Sequence, residues 1–172
     1  MIEQVFVAIR SFMEAGGDVL WLIAAATFIM WALIFERVWY INTDHRKDVA
    51  KALTYWESRP ERTSWTAHRI RERLISEVNQ NLQANMSFIK TLISLLPLLG
   101  LLGTVTGMVQ VFEAMTYSGG NARSMAAGVS AATIPTMSGM VATLSGVLAN
   151  TFLTSTVESE SEYMEDTLTM DH

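Results

Sequence analysis

The sequence predicts an all-α membrane protein with three membrane-spanning helices and long cytoplasmic helical extensions. Three observations predict it. Val19 to Phe35, Thr91 to Phe112 and Ser124 to Val157 carry no charge. Each run is near or above the roughly 20 residues that a helix needs to cross a hydrocarbon core about 30 Å thick. A soluble bundle of 172 residues would rarely hold three of them. Second, the basic residues are gathered in one place. Ten of the 12 lysines and arginines lie between the first and second runs, from Arg37 to Lys90, leaving Arg10 and Arg123. Basic loops stay in the cytoplasm, so the loop from about 40 to 90 is cytoplasmic, and Arg10 and Arg123 face the outside. Third, no glycine or proline interrupts the chain from Ser64 to Leu96, so helix extends well beyond the bilayer.

In chain order, residues 1–18 form a short amphipathic helix on the outer face, with Val5, Ile9, Phe12 and Met13 on one side. It can lie in the membrane interface or pack on protein. Gly16-Gly17 breaks it and Asp18 can cap the next helix. The basic start of a secretory signal is missing, since Glu3, Glu14 and Asp18 precede the first apolar run. The first span is therefore expected to remain in the mature protein. It covers 19–41, and its bulky residues, such as Trp21, Phe28, Phe35 and Trp39, suit lipid. Glu36 and Arg37 at its inner end are ordinary there. Residues 42–86 are cytoplasmic helices. One runs from Asp44 to Glu57 with Val49, Leu53 and Trp56 on one face, and Arg59-Pro60-Glu61 turns the chain. Leu74, Ile75, Val78 and Leu82 form the next stripe. That stripe belongs to a single helix from 64 to 116, about 80 Å long at 1.5 Å per residue. Its second span is 87–116. Residues 117–122, including Gly119-Gly120-Asn121, make a tight outer turn. The third span, 123–154, is rich in Ala, Gly, Ser, Thr and Met and belongs inside a bundle. Residues 155–172 are an acidic cytoplasmic tail.

Several functions are excluded by composition. The chain has no cysteine, hence no disulfide, thiolate metal site or cysteine nucleophile. His45, His68 and His172 are widely spaced. Neither a catalytic triad nor a phosphate loop is present, and no basic patch with interleaved aromatics points to nucleic acid. The expectation is a non-enzymatic protein without metal or cofactor.

The candidate residues lie in the second and third spans. Gly100, Gly103 and Gly107 are spaced by three and four, which lets two helix backbones approach closely. Thr136, Thr143 and Asn150 recur every seven residues, as do Ser138 and Ser145. Such lines read either as a hydroxyl-lined pore or as hydroxyls bonded to their own helix carbonyls. Pro135 removes a helical hydrogen bond beside Thr136. It either frees a carbonyl for water or an ion, or is a packing kink.

Leu99 to Met108, reading LGLLGTVTGM, closely resembles the second-span motif of ExbB, TolQ and MotA proteins. Gly128 to Met140 resembles their third-span motif, and Ile34 to Tyr40 the end of the ExbB first span. The resemblance covers about residues 19–155, and the three-span layout fits ExbB and TolQ better than four-span stators. It implies a homopentamer in the bacterial inner membrane around a central channel. A dimer of an ExbD-like single-span subunit, with an aspartate in its span, would lie in that channel. The complex would use the proton-motive force to energise a TonB-like transducer. By motif position, Thr104 and Thr136 match threonines tied to the proton path. One departure is Ala131, where longer relatives often carry glutamate. Since the uncharged runs of the second and third spans hold no titratable group and Glu113 lies near the outer end of span two, the proton carrier would be the partner's aspartate. A TolQ-type role in envelope maintenance and a non-conducting membrane scaffold are the rival readings.

Overall fold

A computed structural model describes residues 2–61, 64–118 and 122–168. Their regular structure is helical: α1 (Ile2–Glu57), α2 (Trp65–Gln83), α3 (Met86–Ser118) and α4 (Ala122–Thr167). Three stretches are long and apolar enough to cross a membrane: Gly16–Glu57, Trp65–Tyr117 and Met125–Thr167. The predicted all-helical class is therefore present, with three candidate spans by length and composition. Gly119, Gly120 and Asn121 of the expected outer turn lie outside the described residues, as do the last four residues of the tail.

Gly17 bends α1, with φ 66° and ψ −168°. That left-handed φ suits a residue without Cβ, so the predicted Gly16-Gly17 break is where the chain turns. Before it, Val5, Ile9 and Phe12 are exposed, while Met13 is half-buried and, with Phe12, lines a cleft shared with Met137 and Val141 of α4. After it, α1 runs on to Glu57. The expectation of a new helix at Asp44 is corrected: no glycine or proline occurs between Asp18 and Glu57, so polarity changes along the helix while the backbone continues.

The predicted unbroken helix from 64 to 116 is also corrected. It ends at Gln83 and restarts at Met86, with Asn85 at φ 62°. Asparagine is one of the few residues that enters the left-handed region readily. The other cause is Arg37, a buried side chain only 2% exposed. Its guanidinium donates to the carbonyls of Asn81 at 2.7 Å and Ala84 at 3.0 Å. It thereby takes up carbonyls at the end of α2 that a continuing helix would have bonded itself. The Tyr40 ring lies 4.6 Å away. Arg37→Ala should cost about 3 kcal/mol, because it removes two charge-assisted bonds made by a buried side chain. Hydrogen exchange at Asn81 to Met86 should rise accordingly. Arg37→Lys should not rescue it, since an ammonium lacks the planar fork.

The described residues form two compact units. In one, made by residues 32–89 and 148 onward, Trp56, Leu82, Ile89, Met164 and Leu168 are fully buried. Of the two stripes foreseen there, Val49, Trp56, Ile75, Val78 and Leu82 are buried. The acidic tail is not a separate element: α4 includes it as far as Thr167. Its apolar positions Val157, Met164 and Leu168 face inward. Arg71 donates to the carbonyls of Glu165 at 2.7 Å and Leu168 at 2.6 Å, closing the helix end.

Asp48 in this unit gives a pH dependence. Burial pushes its carboxyl up, but hydrogen bonds from Tyr40 and Lys51 and the charges of Lys51 and His45 outweigh it, leaving the group below 3.8. A carboxyl lowered on folding adds stability above its unfolded value, lost as pH falls through the folded value. Thermal midpoints should therefore drop as pH falls below about 4, with Asp48 supplying less than about 1 kcal/mol because the site is partly solvated. Asp48→Asn should flatten that part of the acid limb.

The other unit, residues 1–31 with 90–147, has a thin core that includes Leu20, Ile23, Met30, Ile93, Leu96 and Ala132. Large apolar residues cover much of its outside: Trp21 and Phe28 on α1, Val105 and Phe112 on α3, Met140 and Val141 on α4. So much apolar exposure fits lipid or neighbouring helices rather than water.

Candidate functional site

The site grows from the contact between α3 and α4. A Cβ on Gly100 would stand 3.0 Å from the Pro135 carbonyl oxygen and from the Thr136 Cα. A Cβ on Gly139 would meet the Leu96 carbonyl oxygen at 2.6 Å. Gly103 faces the Pro135 ring, and Gly107 faces Ala132. The predicted glycine set is thus where α4 presses on α3. Gly139, outside that set, supplies the matching side of α4. Its spacing of seven to Gly146, whose own Cβ would meet Met30 and Ile93, was a readable signal.

Close backbones let short side chains reach across. The Thr136 hydroxyl donates to the Gly100 carbonyl at 2.8 Å. The Thr104 hydroxyl lies 3.4 Å from the same oxygen, and the two hydroxyls are hydrogen-bonded to each other. Both threonines are half-buried, and Pro135 is fully buried beside them. With no N–H at Pro135, the Ala131 carbonyl lacks its usual helical donor.

The remaining hydroxyls behave differently. Thr143 donates to Gly139 at 2.8 Å, Ser138 to Ile134 at 2.9 Å and Ser145 to Ala142 at 2.7 Å, all within α4. Of the predicted pore-lining residues, the fold brings Thr104 and Thr136 together across two helices. Thr143 and Ser138 take the alternative foreseen for them, bonding to their own helix. Asn150, last in that line, belongs to the other unit, and its buried amide oxygen has no hydrogen-bond partner among the described residues. No cluster of three or more metal-ligating groups occurs among the described residues.

Residues 41–166 match the MotA/TolQ/ExbB proton channel family. The chain belongs to this family. The match takes in all of α3 and all but the last residue of α4, and so the whole threonine–glycine contact. The chain is also similar to ExbB-like protein 1 of Synechocystis sp., named as a biopolymer transport protein, at 37% identity over 79 residues. That alignment takes in 44% of this chain and 31% of the relative, so the chain spans about a third of the length of the curated relative it matches. Three apolar helices and the proton channel family together make this a membrane protein. Within such a protein the α3–α4 contact is a polar point free of formal charge: no ionisable residue occurs from Thr91 to Phe112 or from Ser124 to Val157. Hydroxyls can relay or orient a proton but do not take up a lasting charge near neutral pH.

Proposed function

We propose that this chain is the proton-channel and motor subunit of an ExbB–ExbD-type complex, which uses the proton-motive force to energise a TonB-like transducer for active transport across the outer membrane. It sits in the bacterial inner membrane with the N-terminus periplasmic, residues 42–86 cytoplasmic and the C-terminus cytoplasmic. It assembles as a homopentamer around a dimer of ExbD-like single-span subunits. The observation that carries this reading is the hydroxyl pair of Thr104 and Thr136, held between two helices otherwise packed through glycine and proline. Proton transfer through a membrane needs a titratable group, and an intramembrane carboxylate is costly unless functional. This chain has none from Thr91 to Phe112 or from Ser124 to Val157, so an aspartate of the partner exchanges protons at the threonine surface. Its charge state sets its preferred position, and cycling turns the partner. The chain does no covalent chemistry in this scheme and needs no cofactor. A Tol-type role in envelope maintenance is the rival reading, separated from the TonB-type role by the phenotype of a deletion.

The test is to purify the protein from membranes in which its genomic neighbours are co-expressed and to weigh the intact complex by native mass spectrometry. Five copies with two of a small single-span partner, and proton flux in liposomes, are expected. A stable monomer or dimer without such a partner would remove the channel reading. A pentamer that passes no protons would leave the scaffold.

A further inference from the structure

The membrane unit contains a cleft of about 500 Å³ between the bend of α1 and the facing surfaces of α3 and α4. Glu14 and Asp18 stand at the bend of α1, Met115 lies toward the C-terminal end of α3 and Met125 toward the N-terminal end of α4. Gly103 and Pro135 are the lining residues furthest from those two helix ends. From Met115 to Gly103 the helix rises about 18 Å, more than half of a hydrocarbon core of about 30 Å. Gly103 and Pro135 immediately precede Thr104 and Thr136 in the chain. The cleft therefore reaches from one end of the unit to the level of the hydroxyl pair.

We propose that this cleft is a water-filled access route within each subunit, bringing protons from its acidic rim to Thr104 and Thr136. Three observations point to water as the occupant. Glu14, which pairs with Arg10 at 2.9 Å, and Asp18 are exposed at the rim, and charged groups beside the first span hold water rather than acyl chains. Gln110 and Thr106 add polar groups to the α3 wall. The α4 wall includes Ala131, whose carbonyl lacks a helical donor because residue 135 is proline; in a bilayer such an acceptor must be satisfied by water or protein. The volume holds on the order of a dozen waters at about 30 Å³ each. The small side chain of Ala131 keeps the passage open. The direction of proton flow rests on the function proposed above, whereas the presence of water does not.

The chain's lack of cysteine makes the test direct. Single substitutions Ala131→Cys, deep in the cleft, and Gln110→Cys, nearer its mouth, are made in the assembled complex in native membranes. Phe28→Cys, on the apolar α1 surface and 76% exposed, serves as the lipid-facing control. Each is exposed from the outer side to a membrane-impermeant methanethiosulfonate, which reacts with the hydrated thiolate. Both cleft positions should label at least about tenfold faster than position 28, and labelling of Ala131→Cys should block proton flux. Labelling at 131 and 110 no faster than at 28 would overturn the wet cleft. Fast labelling with undiminished flux would overturn the proton route. A complex that labels quickly at 131 yet conducts no protons before labelling counts against the proposed function instead, since the reagent reads water without any flux.

Discussion

Replacing Gly139 by leucine should force α3 and α4 apart and lose most of the folded protein. The site for a Cβ is 2.6 Å from the Leu96 carbonyl oxygen and 3.3 Å from the Gly100 Cα. Both neighbours are backbone, so no side-chain rotation relieves the clash. Separation would also stretch the 2.8 Å bond from Thr136 to Gly100. Overpacking a well-filled interior costs about 1–3 kcal/mol even where side chains can adjust, so the loss here should be about 3 kcal/mol or more. The measurement is the thermal midpoint of the detergent-solubilised protein, with Val141→Leu as an exposed control. Gly139→Ala should already lower the midpoint, and a leucine variant melting like the parent would refute the close contact.

The second large effect is on proton transfer. The double variant Thr104→Val and Thr136→Val should reduce proton-driven transport at least tenfold, on the scale of removing a positioned polar group from a proton path. Its stability should change much less. Thr136→Val alone leaves the Thr104 hydroxyl with only the longer contact to Gly100 and should cost about 1 kcal/mol. Adding Thr104→Val removes the orphaned partner, so the double variant should cost less than the sum of the two singles. Serine at both positions should restore most of the flux, because it keeps the hydroxyls. Full transport by the double valine variant would end the role proposed for the pair.

The three apolar runs were legible because burying a backbone in lipid demands helix, and length then decides what can cross. The Gly16-Gly17 bend was legible because glycine takes the left-handed φ without a Cβ penalty. The Ala84–Asn85 break was not. Asn85 is only a weak local signal in the run from Ser64 to Leu96; the other cause is Arg37, some 44 residues away along the chain from Asn81. Sequence treated that arginine as an ordinary charge at a span's end, since burial and distant hydrogen-bond partners leave no local pattern. The hydroxyl lines were legible as periodicity, but period alone does not say which hydroxyls cross to another helix and which bond back to their own.

By itself, then, the sequence determined the helical class, the number of candidate spans and the glycine face of α3, all of which arise from local hydrophobicity, length and side-chain size. Only the tertiary structure decided that Thr104 meets Thr136 while Thr143 and Ser138 do not, that Gly139 is the tight point of α4, and that a cleft runs to Gly103 and Pro135. Those depend on the register of one helix against another. Register is set by the summed fit of many small residues, and a shift of one residue would redirect every contact.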